Sequence, residues 1–195
     1  MRVILASASP RRKELMNLIY PDYEVIVSDA DEHTGDLGPA ETVALLSERK
    51  ARAVLDSLGE CDDTVCVIGS DTVVSIGGRI LGKPQSPEEA VAMLCELSGS
   101  VHEVFTGVTI LVSALSSPVK KSFVSRAEVH FDEMSPEEIG SYVASGEPMD
   151  KAGAYGIQGL GAKYIKGING DFFTVMGLPV CELYHELRKL NVIDV

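Results

Sequence analysis

Two arginines stand at the start of a predicted helix, where their charge is unfavourable. The segment Ser9-Pro10-Arg11-Arg12 follows a short apolar run, and serine followed by proline is typical of a helix N-cap and first helical position. The helix dipole disfavours each arginine there by about 0.3–1 kcal/mol. Free backbone N–H groups, serine hydroxyls and guanidinium groups at one point are typical of a phosphate-binding site. The alternative is a solvent-exposed basic turn on a well-capped helix.

Carboxylates occur at two places that suit metal binding or proton transfer. Asp71, in VIGSDTVV, follows an apolar run that predicts a strand, and the carboxyl ends of strands in α/β sheets face the usual ligand crevice. A carboxylate there could coordinate Mg²⁺ or deprotonate water, or be a turn aspartate bonded to backbone N–H groups. Asp29, Asp31 and Glu32 form an acidic cluster that could hold a divalent ion or be a solvated loop.

Two lysines and a glycine-rich stretch supply further polar groups. Lys50 lies inside a predicted helix, and Lys83 stands between a glycine and a proline, whose turn could aim it, although lone lysines usually lie on the surface. Residues 147–161, EPMDKAGAYGIQGLG, are too rich in glycine and alanine to build a core. Unless this is a plain surface loop, we expect its backbone to approach another group closely.

The glycine-rich stretch carries a charge and an amide as well. Lys151 could bind an anion, and Gln158 could bind the edge of a base. Together with the arginines and carboxylates, and with no obvious nucleophile pair, these groups suit metal-assisted attack by water on a phosphate chain.

The elements that must position these residues alternate between strand and helix, which predicts an α/β fold with a mixed sheet. The predicted strands are residues 2–6, 23–27 and 64–68, a hairpin over 71–81 around Gly77-Gly78, and an antiparallel pair, 104–113 and 119–131, that turns at 116–118. The predicted helices are residues 10–19, 40–58, 86–97, 135–145 and 178–190. Ser86 and Ser135 each begin Ser-Pro-Glu-Glu, which is typical of a capped helix start.

Composition limits the possible partners. The chain has 195 residues, 45% of them hydrophobic, and no apolar run approaches the roughly 18 residues of a membrane helix. Its first residues are too short for a signal peptide, so we expect a cytoplasmic protein without a membrane partner. A net charge of −12 argues against nucleic-acid binding. A phosphate ligand would therefore require a local basic cluster, a divalent cation, or both.

The four cysteines form no CxxC pair and have no zinc-like spacing. We expect reduced, mostly buried thiols without a chemical role. The cysteines are Cys61, Cys66, Cys95 and Cys181.

Six segments, in the same order and over nearly the whole chain, resemble the Maf family of nucleotide pyrophosphatases, which is related in fold to the inosine triphosphate pyrophosphatases. The resemblance implies one domain over residues 1–195, with an elongated central mixed β-sheet flanked by helices and two lobes around a cleft. It also implies a homodimer that hydrolyses a nucleoside triphosphate to the monophosphate and pyrophosphate with a divalent cation, Mg²⁺ or Mn²⁺. The segments are LASASPRRKEL, SERKARAV, IGSDTVV, LGKPQ, EPMDKAGAYGIQGLGA and INGDFFTVMGLP.

The resemblance also implies roles for individual residues. Asp71 would be the proton acceptor for the attacking water, and Glu32 with Asp71 would bind the metal. Arg11, Thr72 and Gln158 resemble the branch that acts on dTTP and UTP, and these residues leave open a modified pyrimidine triphosphate as the substrate. The phosphates would be held by Ser9, Arg11, Arg12, Lys50 and Lys83.

Three further positions in these segments have a less defined role. Lys151 and Asp171 fall in family motifs without an assigned function. Ser70 stands where the family usually has alanine, and we expect it to alter the hydration of Asp71 slightly.

Two rival functions remain open. The first is a nucleotide-binding regulator of septum formation, the process for which the family was first named, with incidental turnover. A binding protein would not need the carboxylate of Asp71, so an intact Asp71 beside the basic cluster argues against it. The second is a nucleic-acid-binding protein, which the negative charge and the lack of aromatic stacking platforms disfavour.

Overall fold

A mixed β-sheet flanked by helices forms the centre of the computed structural model, which describes residues 1–59, 64–113 and 118–194. Most of the predicted turn at 116–118, and Cys61, lie outside these residues. Within them the seven strands are β1 (Arg2–Ala6), β2 (Glu24–Val25), β3 (Val65–Ile76), β4 (Arg79–Leu81), β5 (Val101–Val112), β6 (Val119–Phe131) and β7 (Ile165–Asn169). The α-helices of the same ranges are α1 (Pro10–Asn17), α2 (Pro39–Ser57), α3 (Pro87–Leu97), α4 (Pro136–Ala144), α5 (Phe172–Met176) and α6 (Val180–Lys189).

The sheet order is β2-β1-β3-β5-β6-β7, and β4 pairs with β3. The first three strands in this order are parallel, and the remaining pairs are antiparallel. The predicted mixed α/β sheet is therefore confirmed. The division into two lobes stays a prediction.

Helices cover both faces of the sheet because its central strands are apolar on both sides. Val3 and Leu5 of β1 pack into one cluster with residues of α1 and α6, including Leu183. Ile4, the residue between them, packs on the opposite face with Val54 of α2. A third cluster joins α3 and α4 to the far end of the sheet.

The predicted break after residue 68 is wrong, because β3 runs without interruption from Val65 to Ile76. Asp71 therefore lies inside a strand, opposite Gly107 of β5, rather than after its end. The turn at Gly77 and Gly78 is where the sequence placed it, with φ of +56° and +84°, a conformation that glycine adopts without strain.

Two glycines let α2 lie directly on the sheet. A Cβ on Gly69 would lie 2.2 Å from the carbonyl oxygen of Ser47, and one on Gly107 would lie 2.3 Å from that of Val43. Any side chain at these two positions would push α2 outward. The contact fixes the height of α2 above β3 and hence the position of residues near Ser47 on the helix.

The predicted Ser-Pro-Glu-Glu caps are confirmed. The backbone N–H groups of Glu89 and Glu138 donate to the hydroxyls of Ser86 and Ser135, each over 3.2 Å. One strand and one α-helix were missed by the sequence analysis: β7, which follows the glycine-rich stretch, and α5, which ends at Gly177 just before α6. No helix within the described ranges is long and apolar enough to span a membrane.

The described cysteines are free thiols, as expected, but only Cys66 is buried. Burial raises the pKa of the Cys66 thiol to about 12. Cys95 and Cys181 are exposed, so the expectation of mostly buried thiols is wrong for them. Both lie on helices whose opposite faces supply the core.

Candidate active site

A cavity opens at the point where β1 stops and β3 continues. The last residue of β1, Ala6, pairs with Gly69, and the next residues of β3, Asp71 and Thr72, extend past it. The turn that leads into α1 begins here, so the polar start of that helix faces the edge of β3 that β1 no longer covers. The expected crevice at a carboxyl strand end therefore exists, but the strand that ends there is β1.

Nearly all residues singled out from the sequence line this one cavity, whose volume is about 910 Å³. They come from segments far apart in the chain, so the fold brings them together. The predicted residues that line it are Ser9, Arg11, Arg12, Glu32, Lys50, Asp71, Thr72, Lys83, Lys151 and Gln158.

The catalytic candidate Asp71 forms an ion pair with a lysine of α2. Lys50 Nζ lies 2.6 Å from Asp71 Oδ1 and 2.7 Å from Glu32 Oε1. The side chains of Lys50 and Asp71 are only 15% and 11% exposed, so each partner offsets the cost of burying the other charge. The hydrogen bond from Lys50 holds the pKa of Glu32 below its ordinary value.

Strand alternation explains why Asp71 meets α2. Gly69 and Asp71 are two residues apart, so they face the same side of the sheet, and α2 rests on Gly69. Lys50 is about one helical turn past Ser47 and two turns past Val43, and its Nζ reaches Asp71. Thr72 points to the opposite side, toward α1.

Arg12 is a half-buried cation that the protein itself holds in place. Its Nε donates to the Gly177 carbonyl over 2.9 Å, its Nη2 to Thr72 Oγ1 over 3.0 Å and its Nη1 to Ser7 Oγ over 3.4 Å. Burial lowers the pKa of Arg12, and the charge of Asp71 opposes that shift. Most donors of this guanidinium are thus engaged within the fold.

Arg11 differs from its neighbour, because its guanidinium makes no hydrogen bond or ion pair with another described residue. It lines the cavity and is half-buried. Ser9 caps α1, since its hydroxyl accepts from the backbone N–H of Arg12 over 3.5 Å. Lys83, between Gly82 and Pro84, also faces the cavity. Arg11 and Lys83 are therefore the cations best placed to bind a ligand.

A local basic cluster exists although the chain is acidic overall. Of the described residues, five cationic and four carboxylate side chains line the cavity. A net charge of −12 is therefore compatible with an anionic ligand at this position. The cations are Arg11, Arg12, Lys50, Lys83 and Lys151, and the carboxylates are Glu32, Asp71, Glu147 and Asp150.

The glycine-rich stretch forms one wall of the cavity and also contributes to the core. Its Ala154 and Tyr155 are buried in the cluster with α3 and α4, so the expectation that it would build no core is wrong there. Close backbone approach is confirmed at Gly153, where a Cβ would lie 2.9 Å from Val74 Cγ1. Lys151 Nζ donates to the Glu147 carbonyl over 3.1 Å and pairs with Asp150.

Three candidate acids lie outside the lining of the cavity. Asp171 is the N-cap of α5, because its carboxylate accepts from the backbone N–H of Phe173 over 3.2 Å and that of Thr174 over 2.8 Å. Of the acidic cluster, Asp29 and Asp31 do not line the cavity, and only Glu32 does.

The expected effect of Ser70 on the hydration of Asp71 is not what the structure shows. Ser70 is fully buried, and its hydroxyl donates to the Gly177 carbonyl over 3.0 Å on the side of the sheet opposite Asp71. That carbonyl also accepts from Arg12. Ser70 thus contributes to the support of Arg12.

Two polar side chains, one in the cavity wall and one behind it, were missed by the sequence analysis. Glu147 lies inside a segment that was singled out, but its hydrogen bonds with Tyr142, Leu160 and Gly161 were not anticipated; its position after a helix-ending glycine was the only signal. Buried His102, whose Nε2 lies 2.8 Å from the Tyr155 hydroxyl behind the cavity wall, gave no signal, because β5 looks like an ordinary strand. Burial and the charge of His130 lower the pKa of His102 to about 4.

The family model for Maf-like proteins matches residues 2–190. The chain belongs to the Maf family. Two relatives are each named dTTP/UTP pyrophosphatase. That of Carboxydothermus hydrogenoformans is 47% identical over 189 residues, covering 97% of this chain and 98% of the relative. That of Bacillus cereus strain B4264 is 44% identical over 192 residues, covering 98% and 96%.

Solved structures similar to this Maf protein include two more distant proteins. The Staphylococcus aureus Ham1 protein has 17% identity and a TM-score of 0.48, over 97% of this chain and 100% of that one. A nucleoside-triphosphatase, dITP/XTP pyrophosphatase, of Mycobacterium abscessus has 13% identity and a TM-score of 0.44, over 98% and 97%.

Proposed function

We propose that this protein is a nucleoside triphosphate pyrophosphatase that hydrolyses dTTP and UTP to the monophosphate and pyrophosphate. The observation that carries the proposal is the Lys50–Asp71 pair, 2.6 Å apart, on the wall of a cavity lined by further cations. The names of the relatives supply the substrates, since the cavity alone does not select a base. The protein would be a cytoplasmic homodimer.

The triphosphate would lie across the basic wall of the cavity. Arg11 and Lys83 line the cavity and would donate to the phosphate oxygens, and Ser9 and the start of α1 would add the positive end of a helix dipole. Arg12 is held by Gly177, Thr72 and Ser7. It would contribute its charge and the N–H donors that these contacts leave free. Lys50 would move from the two carboxylates toward phosphate oxygens when the substrate brings negative charge.

Asp71 would act as the general base. In the chemical step a water oxygen forms a bond to the α-phosphorus, the bond from that phosphorus to the bridging oxygen breaks, and pyrophosphate leaves with the electron pair. The water proton goes to the Asp71 carboxylate, whose Oδ1 pairs with Lys50 in the absence of substrate. Positioning and charge stabilisation by the basic wall would supply most of the remaining rate.

The residues present fit a divalent cation, Mg²⁺ or Mn²⁺. Glu32 and Asp71 converge on a single cationic atom, Lys50 Nζ, so both carboxylates can reach one positive centre. The described residues contain no group of three or more acidic, histidine or cysteine ligands, and two carboxylates completed by substrate phosphates are an arrangement typical of Mg²⁺. Such a cation, when bound, neutralises phosphate charge.

Gln158 would bind the base. Its side chain is exposed and lines the cavity, and an amide can donate to and accept from a pyrimidine edge at once. Thr72 accepts a hydrogen bond from Arg12. Together with Arg11, it would contribute to substrate selection near the phosphates.

The test is hydrolysis of each ribo- and deoxynucleoside triphosphate with Mg²⁺ in ¹⁸O-labelled water. We expect pyrophosphate, without free orthophosphate, from dTTP and UTP, and the label in the monophosphate. Label in pyrophosphate would contradict attack at the α-phosphorus. Hydrolysis confined to purine nucleotides would contradict the proposed substrates, and binding without hydrolysis would favour the nucleotide-binding regulator.

A further inference from the structure

A carboxylate and a phenol at the end of α4 hold the glycine-rich wall of the cavity. Glu147 Oε2 accepts from the backbone N–H of Leu160 over 2.9 Å, and its Oε1 accepts from that of Gly161 over 3.1 Å. The Tyr142 hydroxyl donates to the same Oε1 over 2.9 Å and accepts from the N–H of Gly156 over 3.1 Å. Residues 156–161 are therefore tied at both ends to one pair of side chains.

The glycines of this segment are required by that contact. Gly159 has φ of +96°, and a Cβ there would lie 2.6 Å from Glu147 Oε2. A Cβ on Gly161 would lie 2.4 Å from the Tyr142 hydroxyl. The glycine-rich sequence thus lets the backbone approach the carboxylate and the phenol, as well as form a turn.

Both side chains are in the protonation state that these bonds need. Burial raises the pKa of Glu147, but the hydrogen bonds from Leu160 and Gly161 lower it. Together with the other favourable contacts they outweigh burial, so the net shift of the pKa is downward. Burial raises the pKa of Tyr142. At neutral pH the carboxylate therefore accepts on both oxygens and the phenol donates.

The tied segment carries Gln158, which has no hydrogen bond to another described residue and is exposed at the cavity. Its direction is consequently set by the backbone on either side of it. We propose that Glu147 and Tyr142 are positioning residues that orient Gln158 and so set the selectivity for the base. This inference rests on the proposed function, in which Gln158 binds the base.

The test compares E147Q and Y142F with the wild type. A glutamine places an NH₂ group against one of the backbone donors, and a phenylalanine removes one hydroxyl while keeping the ring. Y164F is the matched control, because Tyr164 packs its ring 5.8 Å from that of Tyr142 and so belongs to the same aromatic cluster. Thermal unfolding of all four proteins identifies any variant that has lost its fold.

The first readout is kcat and KM for dTTP, UTP and the remaining triphosphates. We expect E147Q and Y142F to lose about 10- to 100-fold in kcat/KM for dTTP and UTP, mainly through KM. Their activity on the remaining triphosphates should change less, so selectivity falls. Y164F should keep the wild-type ratio. Unchanged selectivity in E147Q would overturn the proposal.

The second readout is hydrogen–deuterium exchange of the peptide that contains residues 156–161, which needs no turnover. We expect faster exchange in E147Q and Y142F than in Y164F, and equal exchange in all would overturn the proposed tie. A wild type that hydrolyses no nucleotide would contradict the proposed function itself. A selective wild type beside an equally selective E147Q would contradict only the role of Glu147.

Discussion

Lys50 and Asp71 form a nearly buried ion pair, 2.6 Å apart, whose ammonium also lies 2.7 Å from Glu32. One lysine thus neutralises the proposed base and the second proposed metal ligand together. The pair exists because α2 rests on the glycines of β3 and β5, with Gly69 and Gly107 leaving no space for a side chain between helix and sheet.

The Lys50 ammonium and a bound metal ion would compete for the carboxylates of Asp71 and Glu32, and removal of the ammonium tests this. We expect K50M to bind Mn²⁺ several-fold more tightly than the wild type when no nucleotide is present, since the two carboxylates lose their internal cation. It should bind nucleotide more weakly. Isothermal titration checks both, with K120M as the control because Lys120 pairs with the half-buried Glu48, which does not line the cavity. Weaker Mn²⁺ binding by K50M would contradict the shared site.

The two neighbouring arginines should respond differently to replacement. R11A removes a guanidinium that makes no hydrogen bond or ion pair with another described residue, so KM should rise about 10- to 100-fold with little change in melting temperature. R12A breaks the bonds to Gly177 and Thr72, so its melting temperature should fall by several degrees as well. Steady-state kinetics and calorimetry separate the two, and equal effects on stability would contradict the distinction.

Ser70 should matter for stability and little for turnover. S70A removes one buried hydrogen bond to the Gly177 carbonyl, while Arg12 remains bonded to that oxygen. We expect a loss of about 1 kcal/mol, or about 2–4 °C in melting temperature, and kcat within twofold of the wild type. A large loss of kcat would contradict a role of this hydroxyl in stability alone.

His102 should make the fold less stable in mild acid. The unfolded chain binds a proton near the ordinary pKa of 6.5, but folded His102 does so only near 4. Between these values the unfolded state holds more protons, so the free energy of unfolding falls as the pH falls, by about 2 kcal/mol from pH 7 to pH 5. Urea unfolding at both pH values should show this loss in the wild type and in H185Q, whose residue is exposed, but less of it in H102Q. An equal loss in H102Q would contradict the assignment.

Local signals predicted the parts of the fold that depend on nearby residues. The capped helices at Ser86 and Ser135 and the turn at Gly77 follow from residues within a few positions of each other. The long strand β3 was predicted as two pieces because Gly69, Ser70 and Asp71 are unfavourable strand residues by themselves. Tertiary contacts make these residues part of the strand. The helix α2 packs on Gly69, and the Ser70 hydroxyl donates to the buried Gly177 carbonyl.

The cavity residues were identified more completely than their contacts. The family segments placed Asp71, Lys50 and Arg11 in one site, and the structure brings them to the same cavity. Two hydrogen bonds depend on three-dimensional packing. Arg12 donates to the carbonyl of Gly177, 165 positions away, and the N–H of Gly161 donates to Glu147. No spacing in the sequence encodes them.

The most direct test is the turnover of D71N with UTP and Mg²⁺, measured beside its nucleotide affinity. Asparagine keeps the shape of the side chain but cannot accept the proton of the attacking water. We expect kcat to fall at least about 100-fold, with the dissociation constant for UTP within about threefold of the wild type, and no such fall in the control E48Q. A D71N enzyme that keeps kcat within threefold of the wild type would show that Asp71 is not the base.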